Sequence, residues 1–133
     1  MNKKALTVVL IIIGAVLAVS AAGYAGMSVG LSRMKAMEVG SVDLSLVPDG
    51  EHEGKFTDRR WSCSVRVTVA AHTIMHIEII GGNLILGSGG SQTLIADIIS
   101  EQTPAVDTVS GATVSSKALQ KAVENALRGA ITD

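Results

Sequence analysis

Apolar positions follow three different rhythms along this chain. Residues 5–31 carry no charge, and residues 6–19 are almost continuously aliphatic. That run exceeds the roughly 20 residues needed to cross a bilayer as a helix. From Trp61 the rhythm becomes alternation: Trp61, Cys63, Val65, Val67 and Val69 face one way, and Ser62, Ser64, Arg66 and Thr68 the other. Period two predicts a half-buried strand. Residues 70–72 make a short connection, and residues 74–80 predict a second strand that closes an antiparallel hairpin. The connection holds neither Gly nor Asn, the residues favoured in a tight hairpin turn.

Helical spacing takes over in the second half. Within residues 91–102, Leu94, Ile95, Ile98 and Ile99 share one face, and Gln92, Asp97 and Glu101 lie opposite. Pro104 closes this helix. A last helix is predicted over about residues 114–128, with Ala118, Leu119, Ala122, Val123, Ala126 and Leu127 as its apolar face and Gly129 as its end. Two glycine clusters, Gly81-Gly82 and Gly87-Ser88-Gly89-Gly90, bracket the apolar residues 84–86. Helices on one face of a small antiparallel sheet give a two-layer α+β fold, preceded here by one N-terminal transmembrane helix. Residues 32–49 have weak periodicity, and Pro48-Asp49-Gly50 signals a turn. The expected organisation is an anchor over 1–31, a linker over 32–48 and one domain over 49–133.

Charge gives the anchor a direction. Lys3 and Lys4 precede the apolar run without an acidic neighbour, which favours an inside N-terminus and a domain outside the cytoplasm. Arg33 and Lys35 follow closely, so the bias is modest. The small residues 20–22 would also suit a signal peptidase, which makes a cleaved signal sequence the rival reading. The run is longer than a usual signal core and favours an uncleaved anchor. Beyond Leu31 lie nine basic and twelve acidic residues, scattered rather than blocked, and Tyr24, Phe56 and Trp61 are the only aromatics. This composition argues against a nucleic-acid surface. Cys63 is the sole cysteine, so the chain forms no internal disulfide, Fe–S site or haem attachment. It shares the face of Val65 and Val67 and reads as a core residue. His76 and Glu78 share a strand face without a third ligand nearby, which is a polar sheet surface rather than a metal site. The run from Gly87 to Gln92 approximates a dinucleotide fingerprint. However, Gln92 replaces its last glycine and no second βα unit follows, so a flexible loop is expected there.

The densest chemical signal stands directly before the last helix: Asp107-Thr108-Val109-Ser110-Gly111-Ala112-Thr113-Val114-Ser115-Ser116. Gly111 permits close backbone approach and Ala112 keeps the surroundings small. Thr113, at or near the N-cap, would set its hydroxyl beside the first-turn amides of Ser115 and Ser116. Such a place suits a phosphate. The bland alternative is that Thr113 only caps a helix.

This run resembles the attachment motif of the FMN-binding domain family. There the Thr of a D-x-x-S-G-A-T sequence carries FMN through a phosphoester bond. The family includes membrane-anchored flavin subunits of bacterial Na⁺-pumping and Rnf-type electron-transport complexes. The matching residues are Asp107, Ser110, Gly111, Ala112 and Thr113, and Asp49-Gly50-Glu51-His52-Glu53-Gly54 is similar to the family's D-G-x-[YH]-x-G start. The likeness runs from about residue 49 to 130, with the family's commoner glycine loop shortened.

The resemblance implies FMN bound covalently to Thr113, with Ser110, Gly111, Ala112, Asp107, Val114, Ser115 and Ser116 around it. It implies a flavin transferase that moves FMN from FAD onto the threonine outside the cytoplasm, with Asp107 in its recognition. It also implies a single-pass membrane flavoprotein exchanging electrons with redox partner proteins or quinol. Such a chain is a carrier or complex subunit rather than a self-sufficient enzyme. Two other classes stay open: an FMN-dependent reductase component for a small acceptor, and an anchored interaction module without covalent flavin.

Overall fold

The computed structural model of this protein describes residues 2–84, 87–108 and 112–132, leaving aside the side chains of residues 27, 29, 87 and 88. It divides into two compact units, Met1–Arg33 and Met34–Asp133.

Helix α1 (Lys3–Ala36) supplies most of the first unit; it is 34 residues long, and its most apolar 18-residue window has a mean hydropathy of 2.7 with none of it buried. A helix of that length spans about 50 Å, against a hydrocarbon core of about 30 Å. It is long and apolar enough to cross a membrane. Its hydroxyls are turned back onto the backbone: Thr7 donates to the Lys3 carbonyl at 3.0 Å and Ser20 to that of Val16 at 2.8 Å. Polar groups satisfied within the segment are what a hydrocarbon environment requires.

The second unit is α+β. Strands β1 (Gly50–Asp58), β2 (Trp61–Ala70) and β3 (Thr73–Gly82) form an antiparallel sheet in the order β1-β2-β3. Helices α2 (Gly87–Glu101) and α3 (Thr113–Thr132) complete it. The alternation along β2 has the expected result: Cys63, Val65, Val67 and Val69 are at most 1% exposed. Ile74 and Ile77 of β3, Leu94 and Ile98 of α2, and Leu119, Ala122, Val123, Ala126 and Leu127 of α3 join them in one core. Burial of each large aliphatic side chain contributes about 1.5–3 kcal/mol. Burial also pushes the Cys63 thiol up to about 11, so it stays protonated within the core.

The other sheet face is solvated. Arg66 sits directly opposite Glu53 on β1 and Glu78 on β3, with ion-pair distances of 2.7 and 3.4 Å. Glu78 therefore belongs to a cross-strand charge row, as the alternation predicted for this face. Exposed pairs of this kind contribute little to stability.

Three elements differ from the sequence expectation. Strand β1 carries no apolar alternation, yet it pairs with β2 from Gly50↔Val69 to Asp58↔Trp61. The Gly87–Gly90 run, expected as a flexible loop, is the opening of α2. It follows an antiparallel strand, which excludes the dinucleotide-binding geometry. Helix α3 continues through Gly129 to Thr132 rather than stopping there. A single glycine lowers helix stability by about 1 kcal/mol, too little to end a helix packed along its length.

The hairpin connection is a two-residue turn. Ala71 and His72 have φ of 50° and 59°, the positive pair of a type I′ turn, made here without Gly or Asn. An L residue with a Cβ is disfavoured in that region by roughly 1–2 kcal/mol. The His72 ring earns its place by bonding the Leu44 carbonyl through Nδ1 at 3.1 Å. Ala71 is exposed and has no such compensation. Ala71→Asn is expected to stabilise the domain by about 1 kcal/mol and raise its thermal midpoint by about 5 °C. A melting curve that does not move upward contradicts this.

Residues 37–49 are held to the domain. Buried Glu124 of α3 accepts from the Gly40 amide at 3.2 Å, from Lys121 Nζ at 2.8 Å and from Arg128 Nε at 2.7 Å. Burial pushes this carboxyl up, but the bonds from Lys121, Gly40 and Arg128 outweigh it and hold it below the usual range. A carboxylate depressed on folding contributes stability above its unfolded pKa and loses it as pH falls through the folded value. Glu124→Gln is expected to cost about 2 kcal/mol at pH 7. The difference from wild type should shrink below about pH 4. Urea titrations at pH 7 and pH 3 check both; a cost equal at the two values would contradict the assignment.

Candidate functional site

The segment joining α2 to α3 begins with an unusual helix end. Gln102 has φ 56°, and the Thr103 amide donates back to the Ile98 carbonyl at 3.3 Å, a Schellman-type stop that usually takes glycine at the left-handed position. The side chain explains the substitution. Gln102 Oε1 accepts from the Ile74 amide at 2.7 Å, and Nε2 donates to the Ile74 carbonyl at 3.0 Å. The amide thus docks on β3 as an extra peptide group would. The stop is made two residues before Pro104, which is buried and consolidates it.

From there the chain turns toward α3. Ala105 donates to Thr103 Oγ1 at 3.2 Å and Val106 to the Pro104 carbonyl at 3.0 Å. The Val106 carbonyl accepts from Gln120 Nε2 on α3. Asp107 follows, exposed, and Thr108 is half-buried. Of the residues expected in the site, Ser110 and Gly111 lie outside the described residues.

Helix α3 starts at Thr113. The Ser116 amide donates to the Ala112 carbonyl at 2.9 Å, which makes Ala112 the capping position and Thr113 the first helical residue. This shifts the expected geometry by one place. The Ser116 amide belongs to the helical ladder and does not wait for a ligand. The amides outside that ladder are those of the preceding positions, Ala112, Thr113 and Val114 among them.

Side-chain directions separate the candidates. Val114 is 9% exposed, Ser115 7% and Ser116 0%. These three turn inward, so any contact they make with a ligand outside the domain runs through backbone. Thr113 and Ala112 are half-buried. The structure therefore brings together a half-buried threonine, a small neighbour and the amino end of a 20-residue helix. The partial positive charge there favours an anion by about 0.3–1 kcal/mol. Lys117, one turn further and half-buried, shares the face of Thr113 by helical repeat.

Sequence reasoning missed the two glutamines that carry this segment. Gln102 gave no signal, because its role depends on a left-handed backbone and on a strand far away in sequence. Gln120 gave a weak one. It lies three residues before Val123 and seven before Leu127, so a polar side chain sits at the rim of an apolar face.

The residues present fit a phosphate-bearing cofactor: a hydroxyl residue that is not fully buried opens the 20-residue helix α3, with the small Ala112 at its cap. Comparison with known proteins agrees in kind. A family model described as "FMN-binding domain" matches residues 61–128, from the first residue of β2 into the last turns of α3. No curated protein matches the chain.

Proposed function

Because the chain belongs to the FMN-binding domain family, we propose that it carries FMN covalently on Thr113 and passes electrons on the outer side of the membrane that α1 anchors it to. The observation that carries this reading is the placement of Thr113. Thr113 is only half-buried, is the first residue of α3 and falls inside the stretch matched to the family.

Thr113 Oγ1 would supply the ester oxygen: as it bonds the flavin-side phosphorus of FAD, the pyrophosphate bond breaks, AMP leaves and the hydroxyl gives up its proton. The amino end of α3 and the amides of Ala112, Thr113 and Val114 would hold the phosphate oxygens. Lys117 would add a cation near them. FMN when bound takes up and gives back one or two electrons, so it links two-electron donors to one-electron acceptors. The protein's share is to hold the cofactor where no intracellular pool can replace it and, through α1, to keep it near membrane partners. The partners that fit this role are a flavin transferase for loading and redox proteins or quinol for electron exchange. The reading is of a carrier or complex subunit.

The test is production of the whole chain with a flavin transferase, followed by intact mass and gel fluorescence. The expected gain is one FMN less one water, carried by a peptide containing Thr113. An unmodified chain, beside a control protein that is modified in the same cells, overturns the reading.

A further inference from the structure

Strands β1 and β3 are the two edges of the sheet, and they are finished differently. The most exposed side chains of β1 include Glu51, Glu53, Lys55 and Thr57, and charges of that kind discourage another strand from pairing. Strand β3 holds no lysine, arginine or proline, and its one carboxylate, Glu78, is paired with Arg66. Its Met75, Ile79 and Ile80 are 57%, 37% and 41% exposed. A long apolar edge without such guards is a template for a further strand.

The register fixes which peptide groups face outward. The two-residue turn pairs Ala70 with Thr73, so Ala70, Thr68, Arg66 and Ser64 bond β3, while Val69, Val67 and Val65 bond β1. Ile74, Ile77 and Ile79 lie opposite that second set, which turns their N–H and C=O away from β2. Two contacts agree with this parity. Gln102 reaches Ile74 from outside the sheet, accepting from its N–H at 2.7 Å and donating to its C=O at 3.0 Å. Ser62, in step with Ser64 on β2, accepts from the Asn83 amide just past the end of β3 at 3.0 Å. Gln102 therefore occupies one end of the edge as a strand would, and the edge continues through Ile77 and Ile79.

We propose that this edge pairs with the same edge of a second copy of the chain, the two β3 strands running antiparallel and centred on Ile77. The sequence is nearly palindromic about that residue: Ile74-Met75-His76-Ile77-Glu78-Ile79-Ile80. Under the twofold axis His76 meets Glu78 of the second copy, and Met75 meets its Ile79. An imidazole thus faces a carboxylate twice, with an apolar pair beyond each. A foreign strand has no reason to carry that order in reverse, whereas a self-complementary patch is what a twofold contact requires. Ile77 exchanges both peptide hydrogen bonds with its counterpart, which makes His76 and Glu78 a pair of the closer, non-hydrogen-bonded kind. Bulges that would bend the edge away flank this run, since pairing with β2 is regular from His76 to Ile79. Gln102, seated on Ile74 in each copy, limits the contact to residues 75–79. The pairing uses no residue of the Thr113 site and is independent of flavin attachment.

The test places His76→Cys and Glu78→Cys together in the full chain, held in detergent micelles and oxidised with diamide. The Cα atoms of a non-hydrogen-bonded pair stand about 4.5 Å apart, within disulfide reach. Two copies of either single variant would set their thiols on a diagonal of about 7–8 Å, beyond it. The double variant should run as a covalent dimer on a non-reducing gel, in a yield that rises with protein concentration. That yield should exceed either single variant, and wild type with its buried Cys63, by about tenfold. Adding Ile79→Lys should lower it about tenfold, and Met75→Lys, at the most exposed apolar position of the strand, should do the same. Both lysine variants should melt within about 4 °C of their parent, because neither side chain belongs to the core. A double variant no more cross-linked than the single ones overturns the proposal and leaves the edge to a foreign strand. Cross-linking that both lysines leave unchanged overturns it as well, since the contact would then lie elsewhere on the chain.

Discussion

Thr113→Val is expected to abolish covalent flavin while leaving the domain folded. Valine preserves the branched shape of threonine and deletes only Oγ1, the one atom the assignment needs. The structural cost is small because Thr113 is the first helical residue, not the cap: Ala112 accepts the first ladder bond. A half-buried position of this kind changes stability by about 0.5 kcal/mol or less. Mass and in-gel fluorescence should fall to background, whereas Thr113→Ser should retain some modification. A valine variant that still gains one FMN would move the attachment to another hydroxyl. Thr108, half-buried on the same segment, would be the first to examine.

Gly54→Ala should produce the largest loss of stability. A Cβ on Gly54 would stand 2.3 Å from the Ala122 carbonyl oxygen, 2.3 Å from the Ala126 amide nitrogen and 2.6 Å from the Ala126 Cβ. Two of these three are backbone atoms of α3, and none is the end of a flexible side chain that could swing aside. Relief requires lifting α3 from the sheet across β1 and β2, which would open the core around Val65, Val123 and Ala126. Overpacking of this kind costs about 3 kcal/mol, or about 15 °C in thermal midpoint for a domain of this size. Circular dichroism melting of the two proteins checks it. Because Thr113 opens the displaced helix, FMN incorporation should decline as well. An alanine variant melting within a few degrees of wild type would mean that α3 rests less closely on β1 than the structure has it.

These two positions illustrate how unevenly the molecule could be read in advance. That a helix starts at Thr113 was legible because a helix start can be recognised locally, and its neighbours form a short contiguous motif. Gly54 stood in a recognisable six-residue stretch, but its physical task was not legible. The less exposed positions of its strand are His52, Gly54, Phe56 and Asp58, a pattern with almost no hydrophobic signal. Burial there comes from the close approach of a helix backbone, and a periodicity argument counts side chains. The Gly87–Gly90 run failed in the opposite sense. Its composition reads as loop, and helix formation there is propagated from the packed residues Leu94 and Ile98.

The buried face of β2, the stripe of α3, the apolar N-terminal run and the phosphate-suited motif were all determined by the sequence alone. Each is written in residues a few positions apart. Only the tertiary structure decided the third strand, the seating of α3 on Gly54, the strapping of Gly40 by Glu124 and the two glutamines that hold residues 102–106. Apart from the strand, these depend on groups 14 to 84 residues apart meeting in space. The free energy that selects them comes from desolvated hydrogen bonds and close packing between distant segments, for which local spacing carries no record.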